Sequence, residues 1–250
     1  MLPPKKVKTE IFEAAGLETN VPKYIRKQER SAAVLAAIAA FTDTFGFLNF
    51  KTHVSFMSGN TTQTGFSAGH GNFAATLLVL LALFSFVSGI FFGTFFSGFS
   101  FYKSKVMPFA VVSLLLLVYV FSEPVCNNIY FPIVLLGFAM GYLNTAVNAV
   151  GKQAVNTDFV TGTLNNLARH LAFWANNTTN TDALGQWDTH KRRALQLLIL
   201  WCSFLSGAFL SAVSLSYLKT NALLIPVVAL FALSFASGHS NSPDTNNLKN

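Results

Sequence analysis

Phe41-Thr42-Asp43-Thr44-Phe45-Gly46-Phe47-Leu48-Asn49 is followed, after a short polar step, by Phe56-Met57-Ser58-Gly59-Asn60-Thr61-Thr62. An apolar stretch carrying one carboxylate thus runs into a hydroxyl-glycine-amide cluster. The device returns later in the chain, where Gly141-Tyr142-Leu143-Asn144 precedes Phe159-Val160-Thr161-Gly162-Thr163-Leu164-Asn165. Gly46 to Asn49 aligns on Gly141 to Asn144, Phe56 on Phe159, and Gly59 on Gly162. Further on, Ser85-Phe86-Val87-Ser88-Gly89 matches Ser203-Phe204-Leu205-Ser206-Gly207, and Pro108 matches Pro226. The order is kept and the spacing between copies widens only across loops, so the chain reads as an internal duplication.

The solvent of this duplicated chain is lipid. Of 250 residues, 52% are hydrophobic and 11% charged, with 26 Phe, whereas a soluble domain carries about 25% charged residues. Six apolar stretches hold the excess: Ser31 to Phe50, Phe73 to Phe99, Val106 to Phe121, Ile129 to Val150, Ala194 to Leu218 and Ala222 to Ala236. A spanning helix needs roughly 17–25 residues. The first, second, fourth and fifth stretches meet that length, and the third and sixth are short. A long polar lead and Asp43 make the first stretch read as an uncleaved span rather than a signal peptide.

Charge sets the orientation. Of the 17 basic residues, all but Lys51 and Lys219 fall in the N-terminal tail, in the second and fourth loops, or at the C-terminus. Basic residues near span ends mark the cytoplasmic side. The split predicts six spans with both termini cytoplasmic, and makes the net charge of +7 a topology signal rather than a nucleic-acid footprint. The expected organisation is a basic tail over 1–30, a first three-helix repeat over 31–122, a second over 128–238, and a polar tail over 239–250. Three spans per copy make the copies inverted, as in many transporters. The predicted fold is therefore an all-α membrane protein of six transmembrane helices in two inverted three-helix repeats. Each repeat carries a broken or re-entrant polar segment after its first helix.

Small residues recur every four positions at Ser85, Gly89, Gly93 and Ser97, at Gly137, Gly141, Thr145 and Ala149, and at Ser203, Gly207 and Ser211. Such faces let helices approach closely. They serve packing within the bundle, or alternatively a homodimer face.

The candidate binding residues are Asp43, Asn49, Ser58, Gly59, Asn60, Thr61, Asn144, Thr161, Gly162 and Thr163. Asp43 is the one acidic residue well inside a span, where a carboxylate is costly and needs a partner, a proton or water. That partner must come from another segment, because Thr42 and Thr44 point away from it. Asn49 and Asn144 stand at matched span ends, as helix C-caps or cavity linings. The two glycine motifs read as turns whose Ser, Thr and Asn cap a following helix, with an amphipathic helix running from the second motif to Trp174. Paired breaks of this kind point to a binding site. His53 and His70 read as solvated loop histidines, and no metal site or cofactor is expected. Cys126 and Cys202 read as unpaired thiols.

These residues resemble the YoaK-like family, a group of uncharacterised multi-pass membrane proteins with a domain of unknown function. The resemblance is carried by Phe41 to Phe47, Phe56 to Gly65, Met140 to Asn144 and Phe159 to Asn165. It covers roughly Ala33 to Phe235 and leaves the Asn-rich insertion Ala175 to Thr189 outside. Ser58 stands where Thr is usual in the family, which keeps the hydroxyl. The resemblance implies no activity.

The expected function is that of a secondary transporter or facilitator for a small polar or anionic solute, with the site between the two breaks and a proton-coupling role for Asp43. A channel, or a structural or assembly subunit of the membrane, is the alternative. No catalytic constellation is visible, so an enzyme is not expected.

Overall fold

The computed structural model describes residues 21–98, 106–123, 128–146, 149–150, 153–154 and 160–238, with only the backbone described at 149–150, 153–154 and 236–238. The tail before residue 21, Lys103, Lys105, Cys126, Lys152, Asp158, Phe159 and the polar end after residue 238 lie outside the described residues. Among the described residues the fold is helical: α1 Lys23–Phe50, α2 Met57–Gly69, α3 Phe73–Ser97, α4 Val106–Ser122, α5 Tyr130–Leu143, α6 Val160–Ala175, α7 His190–Leu218 and α8 Leu224–Gly238. A 3-10 turn, Lys219–Leu223, joins α7 to α8, and Ala149–Val150 pairs antiparallel with Gln153–Ala154.

Three segments are long and apolar enough to cross a bilayer: α1, α3, and the run His190–Phe235 that begins with α7. The shorter apolar helices α4 and α5 have 17 and 14 residues. The fourth stretch was expected to reach spanning length, but α5 stops at Leu143. Its end is closed locally: the Asn144 N–H donates to Met140 O at 3.0 Å, and the Thr145 hydroxyl to Tyr142 O at 2.8 Å. α4, α5 and α8 each carry proline at their third position, Pro108, Pro132 and Pro226. There the missing N–H breaks no helical hydrogen bond.

The described residues fall into two compact units, one drawn from Met1–Ala37 and Val147–Gly207, the other from Ile38–Ala146 and Ala208–Asn250. In the second unit α3 and α5 run parallel and close on each other through both small-residue faces. A Cβ on Gly89 would collide with the Phe138 carbonyl, and one on Gly141 with the Phe86 carbonyl. One on Gly93 would meet Thr145 Oγ1 at 2.8 Å, and one on Gly137 would meet Ala82 O at 3.2 Å. These faces are therefore used inside the chain. α4 packs against α5 and α8, and α2 against α3. Phe45, Val79, Val112, Leu116, Ile133, Leu136 and Leu230 are fully enclosed, and Phe45 meets Tyr119 edge-on at 5.9 Å.

In the first unit α1 and α7 also run parallel. Glu29 pairs with Arg192 at 2.5 Å, Ile25, Ala32 and Ala36 pack with Leu200, and a Cβ on Gly207 would collide with the Ala37 carbonyl. The basic ends Lys23–Arg30 and Lys191–Arg193 consequently share one end of this pair.

Gly141→Leu should abolish or sharply reduce recovery of folded protein, because the obstruction is backbone and cannot give way. Gly65→Ala, with open space around it, should change the detergent melting temperature little. Size-exclusion profiles and thermal shift of the purified variants check both.

Candidate functional site

The first break is built around Asp43. α1 ends at Phe50, and Lys51 takes a left-handed conformation (φ 55°) that turns the chain back toward α1. The returning strand lies on Gly46, where a Cβ would come within 2.8 Å of Val54 Cγ1. Asp43 Oδ1 then accepts from the N–H groups of Val54 (3.0 Å), Ser55 (2.8 Å) and Phe56 (3.1 Å), and from the Ser55 hydroxyl (3.0 Å). Asp43 Oδ2 meets His53 Nδ1 at 2.6 Å. A carboxylate only accepts, so Nδ1 carries the proton. Consecutive N–H groups just ahead of α2 thus find their anion inside the chain. A helix start favours negative charge, and charge-assisted hydrogen bonds are the strong ones.

Asn60 fastens the same loop from the other side. Its Nδ2 donates to His53 O at 2.7 Å and its Oδ1 accepts from His53 N at 3.2 Å. Gln63 Nε2 donates to Lys51 O at 3.0 Å. The His53 ring stacks on Phe47 (4.7 Å) and takes Phe56 edge-on (5.2 Å). Gly59 leaves room for this arrangement, since a Cβ there would collide with the Phe56 ring.

Several expectations change here. The glycine motifs do not form turns that cap helices. Ser58 to Thr61 lie in the first turns of α2, whose N-cap position is Phe56 with no side-chain cap. Thr161 to Thr163 lie in the first turn of α6. The Thr61 hydroxyl returns to Met57 O at 2.8 Å, inside its own helix. Asn49 is exposed and donates to Phe45 O at 2.8 Å, while Asn144 holds the C-cap position of α5. His53 is not a solvated loop residue but the partner of Asp43. No sequence signal marks that pairing beyond the need of Asp43 for one.

The two motifs match in burial. Ser58 and Thr161 are exposed, Gly59 and Gly162 half-buried, Asn60 and Thr163 buried, Thr61 and Leu164 exposed. Both helices begin with the same polar face turned inward.

In its own unit α6 runs antiparallel along α7. At one end His170 Nδ1 meets His190 Nδ1 at 2.9 Å, Phe173 lies against His190, and Lys191 sits over the Trp174 ring at 5.2 Å. At the other end Val160 and Thr163 line a niche with Leu200, Trp201 and Phe204. Trp201 is about 12 Å along α7 from Arg193 at 1.5 Å per residue. The second motif therefore begins well inside the apolar length of α7. The niche, about 10 Å³, holds roughly one water and no solute.

The insertion before α7 is ordered by a buried ion pair that the sequence hid among the basic residues. Arg193 donates to both Asp188 oxygens, at 2.8 and 2.7 Å, and reaches Asp182 at 3.2 Å. Burial alone would raise the Asp188 pKa. The Arg193 hydrogen bonds, the Leu184 N–H and the charges of Arg193 and Arg192 outweigh it and hold the carboxyl below its ordinary value.

Residues 31–236 match the family described as "Protein of unknown function (DUF1275)". The chain belongs to the DUF1275 family. The match includes the insertion, which the resemblance had left outside. The UPF0700 transmembrane protein RA0705 of Rhizobium meliloti (strain 1021) is 32% identical over 219 residues, covering 85% of this chain and 90% of that protein. No solved structure matches. With its long apolar helices, this DUF1275 chain is an integral membrane protein, as its composition predicts.

Replacing Arg193 with Met leaves Asp188 buried and unpaired, a loss of about 3–5 kcal/mol for such pairs. Arg193→Met with Asp188→Asn should recover part of it. Because the Asp188 pKa is depressed, its stabilisation is complete at neutral pH and is lost as pH falls below the ordinary carboxylate value of about 4. Asp188→Asn should flatten the decline in melting temperature through that window in detergent.

Proposed function

We propose that this protein is a secondary transporter or facilitator of a small polar or anionic solute, built as two inverted repeats with both termini cytoplasmic. On this reading the repeat unit is four helices, α1–α4 and α5–α8: a span, a polar half-helix, a second span and a short span.

The observation that carries the reading is the equivalence of contacts in the two halves. Gly89 and Gly207 are matched by the duplication. Gly89 closes the second span of the first copy onto the first span of the second copy, and Gly207 closes the second span of the second copy onto the first span of the first. Both pairs run parallel, as alternating spans require. The third spans of the two copies, α4 and α8, pack on each other. Each polar half-helix packs on the span that follows it. Reciprocal pairing of this kind is what an inverted duplication produces, and half-helices starting inside the membrane form the binding sites of many transporters. The residues proposed to contact solute are Ser58, Gly59, Asn60 and Thr61 at the start of α2, and Thr161, Gly162 and Thr163 at the start of α6, in an alternating-access cycle. No chemical transformation of the solute is assigned.

The test is uptake by the full chain in proteoliposomes under an imposed pH gradient, with radiolabelled amino acids, short carboxylates, inorganic phosphate and sulfate. At least one class should show saturable uptake. Ser58→Val and Thr161→Val, both at exposed positions, should leave the melting temperature unchanged and cut uptake about three- to tenfold, the size of one lost hydrogen bond. No uptake above empty vesicles for any class, or uptake indifferent to both substitutions, would sink the proposal.

A further inference from the structure

We infer that His53, rather than Asp43, is the group that takes up and releases a proton in the first break, with Asp43 as its fixed counter-charge. The inference deepens the transporter reading and rests on it for its purpose.

Asp43 is spoken for. Its two oxygens accept from the Val54, Ser55 and Phe56 N–H groups, the Ser55 hydroxyl and His53 Nδ1. A proton on Oδ1 would turn an acceptor into a donor against four donors already in place, and one on Oδ2 would require the His53 tautomer to reverse. His53 is held almost as completely. Its backbone is gripped on both sides by Asn60, one ring face lies on Phe47, Phe56 meets the ring edge-on, and Nδ1 is fixed by Asp43. Among the described contacts Nε2 alone is unassigned. The His53 side chain is 25% exposed against 9% for Asp43, so of the pair the imidazole is the one solvent reaches.

The remaining charged and titratable groups around this loop are few. Lys51 turns its Nζ back to Leu48 O at 3.5 Å, α2 supplies only the neutral Ser58, Asn60 and Gln63 at this end, and Tyr119 of α4 lies on Phe45. His70 sits at the opposite end of α2 against Phe66. Water or solute delivers the proton to Nε2, while the Nδ1 proton stays on its bond to Asp43 Oδ2. The pair passes from net charge −1 to 0 and no other bond is broken. An aspartate that fixes one imidazole nitrogen sets the tautomer and leaves the other nitrogen for exchange.

The experiment is nitrogen NMR of the full chain, labelled with ¹⁵N at its five histidines, in detergent micelles. His53→Gln assigns the signal, and His70→Gln serves as a control that should not alter it. The expected result is an imidazole protonated on Nδ1 at high pH that gains its second proton on Nε2, reversibly, within the interval of about pH 5 to 8 in which histidines change charge. In Asp43→Asn the fixed Nδ1–H tautomer should be lost, since the carboxylate that holds that proton is gone. A signal that does not titrate in that range, that titrates at Nδ1, or that is indifferent to Asp43→Asn overturns the inference. Should Asp43→Asn fail to fold, the wild-type titration and tautomer decide alone. The readout needs no solute. Titration of His53 without uptake of any solute would remove the transporter reading and leave the proton site standing, while pH-driven uptake with a silent His53 would do the reverse.

Discussion

A peptide backbone that leaves its helix among apolar spans must find partners for its N–H and C=O groups from the protein itself. Over residues 51–56 this chain meets that demand with one carboxylate. Asp43 collects the N–H groups of three successive residues, and the features around it follow from that bond set. Gly46 lets the loop lie flat on α1, Lys51 accepts a left-handed backbone, Asn60 returns both hydrogen bonds of His53, and Gly59 clears space for Phe56. The charge that is costly in a membrane helix is the same charge that makes the irregular loop tolerable.

Much of this was legible in the residues. The small-residue stripes follow a four-residue period, and Gly89 and Gly141 close α3 onto α5 as that period requires. The need of Asp43 for a distant partner was legible too, because its neighbours on the helix face other ways. The identity of that partner was not. His53 lies ten positions on and three residues past a helix end, and only the left-handed turn at Lys51 returns it to Asp43. Arg193 illustrates the same limit. In a run of basic residues it counts toward topology, yet it is buried with Asp188, five positions away on a loop whose path no periodicity describes. The length of α5 failed for a local reason: apolar composition continues past Leu143, but Asn144 and Thr145 fold their hydrogen bonds back onto the helix end.

On the proposed duplication, the two copies differ where charge matters. The position aligned with Asp43 is Phe138, whose ring lies 6.0 Å from Phe92, so α5 supplies no carboxylate at that position. Its half-helix α6 is instead tied to α7 through the His170–His190 contact and the Lys191–Trp174 stack, both beside the Arg193–Asp188 pair. One copy is organised from within its span and the other from the rim.

The proline at the third position of α4, α5 and α8 fixes more than a helix start. With 17, 14 and 15 residues, these helices rise only about 21–26 Å at 1.5 Å per residue, against a hydrocarbon core of about 30 Å. The prolines stop them from growing backward, and the Asn144 and Thr145 bonds stop α5 from growing forward. On the six-span reading the lipid adapts instead, by thinning around these helices, and bilayer thickness becomes a variable acting on their packing without any ligand.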